Sequence, residues 1–165
     1  MRGRKGGNTM QQATIETRVF GTVGIDPGKV ITFPNGIIGF PDMKNFLLLY
    51  NIDRGAEAGI RWLQSIEEPN FALPVMDPLL ADPAYNPEVE DDLLKPIGEL
   101  TDENLFVLVS VTIPSDITQM TVNLKAPIVI NTDERKACQI IAEGDRYQIK
   151  TPIYEIIKAS KKAGE

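Results

Sequence analysis

Residues 104–142 read NLFVLVSVTIPSDITQMTVNLKAPIVINTDERKACQIIA, and this stretch decides the fold. Residues 104–113 are dense in Val, Leu and Phe, the residue types that fit a pleated, packed surface. Shorter apolar runs follow at 120–124, 128–131 and 137–142, and turn formers separate them: Pro114-Ser115-Asp116, Ala126-Pro127 and Thr132-Asp133-Glu134. Short apolar runs broken at this rate are strands, not the helices of a bundle or of an alternating α/β fold.

The pattern extends in both directions. In residues 14–20, Ile15, Thr17 and Val19 alternate with Glu16 and Arg18, as in a half-buried strand, and Gly21 and Gly24 then bracket Val23. Asp26-Pro27-Gly28-Lys29 is a turn, residues 30–33 are a short strand stopped by Pro34, and Asn35-Gly36 is a tight-turn signal with Gly39 as a second flexible point. Residues 46–52 read as a strand and 53–59 as a polar loop. The runs 61–66 and 71–76 form a strand pair joined by Glu67-Glu68-Pro69-Asn70. Residues 88–94 are expected to form a short helix with Leu93 and Leu94 inward. Gly144-Asp145 turns into a strand at 147–149, and 153–162 is a docking helix or a frayed tail. About nine or ten short strands call for a closed or nearly closed antiparallel barrel, or a sandwich; the pattern leaves both open.

The chain has 165 residues, enough for one core, and 42% hydrophobic with 24% charged residues excludes a wholly disordered chain. No apolar run approaches the roughly 20 residues that span a bilayer. The basic start MRGRKGGNTM has no apolar stretch after it and is not a secretory signal. The net charge is −6, and without Arg2, Arg4 and Lys5 the other residues carry 14 basic against 23 acidic groups, or −9. That balance is opposite to a phosphate binder's and argues against direct nucleic-acid contact. It suits solubility, or encounter with a basic protein partner.

Little chemistry is on offer. Histidine is absent, so a Ser-His-Asp triad is impossible, and Cys138, the single cysteine, lies in an apolar run as an inert thiol with no disulfide partner. There is no phosphate loop. Glu90, Asp91 and Asp92 are consecutive, whereas calcium loops alternate their donors. No metal or cofactor is expected. Asp77, beside Glu67 or Glu68, is the one carboxylate pairing that could serve a hydrolase, and Asp77 before Pro78 reads more strongly as a turn or cap residue. Trp62 is either a core or rim anchor or an interface hot spot. Ile37, Ile38 and Phe40 either plug the barrel or form an apolar patch for a partner. Residues 82–103 hold eight acids against Lys95 alone, with Pro83, Pro87 and Pro96 among them, and read as solvated surface or as a docking loop.

The motifs together carry a resemblance. Ile31-Thr32-Phe33-Pro34-Asn35-Gly36-Ile37-Ile38-Gly39-Phe40 looks like the FliW signature of a strand running into FPxGIxGF. Trp62-Leu63-Gln64-Ser65, Phe71-Ala72-Leu73-Pro74-Val75-Met76-Asp77-Pro78 and Thr121-Val122-Asn123-Leu124-Lys125-Ala126-Pro127-Ile128-Val129-Ile130-Asn131 resemble the blocks that follow. Ala137, Gln139 and the ending Tyr147-Gln148-Ile149-Lys150-Thr151-Pro152-Ile153 resemble the last. The resemblance spans about residues 14–153. It implies a mainly β, small antiparallel barrel-like single domain with one or two short helices. Residues 1–13 are then a disordered tail and 154–165 a C-terminal tail or short helix.

It also implies a cytoplasmic, non-enzymatic binding protein. FliW-like proteins bind the translational regulator CsrA, relieve its repression of flagellin synthesis, and bind flagellin in competition with CsrA. No membrane contact is implied, and a monomer in the free state is expected. Residue chemistry, not the resemblance, nominates the partner contacts: Ile37, Ile38 and Phe40 as apolar anchors, with Glu67, Glu68, Glu90, Asp91 and Asp92 as acidic steering groups. The competing readings are a carboxylate-based hydrolase and a small-ligand-binding β-barrel.

Overall fold

Strand β7 (Leu105–Thr112) is the longest element of the sheet and is paired along both edges. In the computed structural model, which describes residues 13–49 and 59–163, its Ser110 and Val109 pair antiparallel with Val75 and Met76 of β6 (Ala72–Met76). Its other edge pairs, residues 105–108, with β9 (Ile128–Asn131), so a single strand links the two ends of the sheet. The order runs β7, β6, β5 (Ile60–Ser65), β4 (Asn45–Leu49), β3 (Ile31–Thr32), β10 (Lys136–Gln139), β9 and back to β7: a closed seven-stranded barrel. Closure removes the open edges that an isolated sheet would expose. Every pairing is antiparallel except β3 with β10, where Thr32 N–H donates to the Arg135 carbonyl at 2.9 Å.

The elements match the reading of the sequence closely. The expected 61–66 and 71–76 pair is the antiparallel hairpin β5–β6. Residues 14–20 split into β1 (Thr14–Thr17) and a turn into β2 (Gly21–Gly24), a hairpin outside the barrel. The segment 120–124 is strand only at β8 (Thr121–Val122), which continues β9's edge of β7 after an interruption at 123–127. Asn123 Oδ1 fills that interruption by accepting from the N–H groups of Lys125 and Ala126. Two expectations shift, and the Asp77 cap reading holds. Residues 147–149 are not strand; the strand is β11 (Thr151–Pro152), on β8. The helix expected at 88–94 is a 3-10 helix at Asp91–Ile97, since Pro96 lies inside it and lacks a donor. Asp77 Oδ1 accepts from Leu79 N–H at 2.9 Å and so caps a four-residue helix, α1 (Pro78–Ala81). The C-terminal segment is helix α2 (Tyr154–Ala163), with Ile157 packed on the barrel. The tail at 1–12 and part of the 53–59 loop lie outside the described residues.

Three apolar clusters hold these pieces. Phe33, Phe46, Leu63, Val75, Leu108, Ile128, Ile130 and Ala137 form one, with the Phe33 and Phe46 rings edge to face at 5.1 Å. Pairing Phe46 with Ser65, Leu48 with Leu63, Leu63 with Leu73 and Ile130 with Ala137 puts these side chains on one face of the rolled sheet, its interior. Outside, Met76, Val109, Val111, Tyr147 and Ile153 pack beneath α2. On the other flank, Val129 and Cys138 pack beneath Ile97 and Ile140. The run 128–131 is buried at every position, not alternately, because both faces of β9 are covered.

Gly36 sits at φ +71, and a Cβ there would stand 2.5 Å from the Pro41 Cα and carbonyl oxygen. Gly36→Ala is therefore expected to cost at least about 2 kcal/mol, from left-handed strain plus displacement of backbone. Gly39, at φ +89 with open space around it, is expected to lose only about 1 kcal/mol as alanine. Chemical denaturation of the two variants checks the difference.

Candidate functional site

The nominated residues fall on two surfaces. The first is a rim at the end of the barrel where β5 turns into β6. Phe33 is wholly buried, and the chain behind it folds back through the bridge between Ile37 and Phe40. This turn divides the three apolar candidates. Ile37 is 5% exposed and belongs to the interior cluster, so as an exposed anchor it is corrected: it is the plug. Ile38 and Phe40 face outward at 48% and 45%. Ile38 N–H donates to Gln139 Oε1 at 3.0 Å, and the Phe40 ring lies 5.3 Å from that of Phe71, so both are fixed by their neighbours.

The same rim receives Glu67 and Glu68, which with Phe40 and Met43 line a shallow cavity of about 290 Å3. Glu67, an exposed charge, is also a structural group. Its Oε1 accepts from the N–H groups of Lys44 and Asn45, and its Oε2 from Asn45 Nδ2 at 2.7 Å. It ties the strap between the signature loop and β4 to the β5–β6 turn. The turn itself is held by buried Gln64, whose Nε2 donates to the carbonyls of Ser65, Pro69 and Phe71. Glu68 is exposed; its backbone N–H donates to Ser65 Oγ and its carbonyl accepts from Phe71 N–H at 2.8 Å.

The second surface is the acidic segment 82–103, laid across the outer faces of β9 and β10. Asn131, fully buried, is its main fastener: Nδ2 donates to the Ile97 carbonyl at 2.8 Å and the Glu99 carbonyl at 3.2 Å. Its Oδ1 accepts from the N–H groups of Asp133 and Glu134. Asn104 adds a bond to the Glu99 carbonyl. At the other end Tyr85 stacks edge to face on Tyr147 at 4.6 Å and donates to the Leu124 carbonyl, while Tyr147 Oη accepts from Asn86 N–H. Burial, with the Tyr147 ring adjacent, drives the Tyr85 phenol well above its ordinary range. So fastened, the segment holds Glu90, Asp91 and Asp92 in solvent, where Asp92 pairs with Lys95 at 3.0 Å; that pair is too exposed to add much stability.

Other sequence readings resolve on geometry. Asp77 follows the last residue of β6 and Glu67-Glu68 precede its first, so the five residues of β6 separate them by roughly 16 Å. Paired glycosidase carboxylates stand within about 10 Å. Trp62 is half-buried against the outer cluster, with the Phe20 ring edge-on at 6.3 Å: an anchor for the β1–β2 hairpin. The barrel interior is filled by side chains. A cavity of about 550 Å3 lies at its mouth, between Lys29, Leu48, Phe106 and Arg135. Among the described residues no group of three or more Cys, Asp or Glu could hold a metal, and no helix is long and apolar enough to cross a membrane. The asparagine fasteners and the exposed Leu79 and Leu80 escaped the sequence reading. The signal available was a Leu-Leu pair directly after a capping Asp-Pro, too close to the helix start for both to be buried.

Fold and surfaces define a class: a small closed β-barrel whose distinctive loops stiffen a rim and bind an acidic strap to one flank. Residues 14–153 match the sequence profile of the family described as FliW protein, and the chain belongs to that family. A flagellar assembly factor FliW from Lachnospira eligens is 46% identical over 145 residues, 87% of this chain and 96% of the relative. One from Lachnoclostridium phytofermentans is 41% identical over 153 residues, 92% and 98% of the two chains. A solved structure, described as the crystal structure of the flagellar assembly factor FliW, superposes with a TM-score of 0.78 at 27% identity, covering 86% of this chain and 97% of that one.

Two outcomes test the strap and its surroundings. Asn131→Ala is expected to cost about 2–4 kcal/mol, since it strands two carbonyls and two N–H groups, and to speed amide exchange in residues 97–100 ahead of the barrel. Burial pushes the Cys138 thiol up to about 11 from 9.0. The unfolded thiol ionises first, so its contribution to stability is constant below about pH 9 and declines towards 11, with Tyr85 adding to the decline above its own ordinary 10.0. Cys138→Ala is expected to remove the part of the slope between pH 9 and 10, measured by denaturant midpoints.

Proposed function

We propose that this FliW-family chain is a flagellar assembly factor that acts in the cytoplasm by binding proteins and catalyses no reaction. In this reading it binds CsrA, relieving repression of flagellin translation, and binds flagellin, which competes for it. The observation that carries the reading is the family match over residues 14–153, with relatives named flagellar assembly factors. The physical features agree with it. A regulator that grips RNA phosphates is basic, and a chain of net charge −6 attracts it at long range. Ile38 and Phe40 supply apolar surface held rigid before binding, which limits the ordering cost of association. Glu68, Glu90, Asp91 and Asp92 are exposed charges for steering; Glu67, exposed as well, also shapes the rim.

Calorimetric titration of CsrA into the protein, alone and with flagellin bound, is expected to show saturable binding that flagellin abolishes. Replacing Asp91 and Asp92 by lysine together with Ile38→Asp is expected to weaken CsrA binding at least tenfold with the melting temperature retained. Absence of binding to both partners refutes the function. Unchanged affinity in the folded triple variant refutes these contacts.

A further inference from the structure

The strap also creates a groove. Along residues 87–90 the side chains alternate: Pro87 and Val89 are half-buried, and Glu88 and Glu90 are exposed. On the inward side Val89 and Leu94 line a groove of about 460 Å3 with Leu79 of α1, Leu105 and Val107 of β7, and Pro127. Leu79 and Leu105 are 51% and 45% exposed, a large apolar surface to leave in water. Asp77 is the charged residue of this lining, and no lysine or arginine is part of it. The neighbouring strap exposes Glu88, Glu90 and Asp91, and its Lys95 is paired with Asp92.

We propose that this groove docks an amphipathic segment of a partner protein, apolar on one face and flanked by lysine or arginine. The groove is narrow and leaves room for a few side chains, as when residues at i, i+3 and i+4 of a helix enter a cleft. Its acidic border selects the charge of the occupant, since an acidic or uncharged segment gains nothing there or is repelled. A second copy of this chain is a poor occupant: a two-fold contact through this surface sets acid against acid. The inference rests on the reading above only in taking the chain to bind proteins. It adds a surface that shares no residue with the rim cavity.

The test is fluorescence anisotropy on the full chain with a labelled Leu/Lys peptide of about 18 residues, patterned to be amphipathic as a helix. Two controls accompany it: the same composition scrambled, and a version with glutamate for lysine. The patterned Leu/Lys peptide is expected to saturate, with both controls at least tenfold weaker. Leu79→Asp and Leu105→Asp are each expected to weaken it at least tenfold, and Ile149→Ser, at an exposed position outside both surfaces, to leave it unchanged. Glu88→Gln with Glu90→Gln, both at exposed positions, is expected to weaken it several-fold without touching the fold. The proposal is overturned by equal binding of the scrambled peptide, by no saturable binding, or by full affinity in the glutamine double variant or in a folded leucine variant. A wild-type dimer that Leu79→Asp dissociates, with no peptide bound, overturns it in favour of a second copy. Peptide binding without response to CsrA or flagellin supports the groove and refutes the proposed function; the reverse refutes the groove alone.

Discussion

The two-sided pairing of β7 is the constraint on which the rest of the structure depends. Four residues of one edge bond to β9 while Val109 and Ser110 bond to β6 from the opposite edge, so the sheet can only close on itself. Closure forces every barrel strand to have an inside and an outside, and the inside is filled by Phe33, Phe46, Leu63 and their neighbours. A cavity of about 550 Å3 remains at the mouth, bordered by Ile31, Leu48, Phe106 and Ile130 of that interior. The closed barrel is also the rigid scaffold that positions the loops and outer faces on which the proposed binding surfaces lie.

Closing a seven-stranded barrel leaves its outer faces to be covered, and the chain uses different material for each. Helix α2 and β11 cover one flank with apolar contact and with the backbone pairing of β11 on β8. The acidic strap covers the other with few apolar residues of its own, Val89, Leu94, Ile97 and Leu100, and must be held by polar bonds instead. Asn131, Asn104 and the Tyr85–Tyr147 pair provide them from buried positions where an unsatisfied group would be costly. Fixing the strap by its backbone carbonyls frees its carboxylates, which is how a surface can be both ordered and strongly acidic.

The strands of the barrel were legible because apolar runs and turn residues are local signals: the hairpin β5–β6 and β9 fall where composition places them. The strand pattern left closure open against a sandwich and the resemblance alone favoured the barrel, because closure depends on which strand meets β7's second edge, a contact across sequence. The rim was half legible. Asn35-Gly36 and Gly39 announced a loop, yet hydrophobicity alone could not say that Ile37 turns in and Ile38 out. That choice is made by the 37–40 bridge and the Gln139 bond, a partner about a hundred residues away. Glu67 looked like any surface acid, and only its three hydrogen bonds distinguish it from Glu68.

Rim and strap differ in how they resist change, and the difference bears on how each can serve recognition. At the rim, geometry is set by backbone: Gly36 is buried against Pro41, and the apolar pair beyond it cannot shift without dismantling that turn. Such a surface offers shape, with little conformational entropy left to lose on contact. The strap is secured at its ends and along one side, while the carboxylates between project from half-buried neighbours and are free to reorient. Such a surface offers charge, which acts over a Debye length of about 8 Å and tolerates imprecise fit. On the proposed reading, a partner is therefore drawn by the strap before it is matched by the rim or the groove. Salt weakens the first step far more than the second.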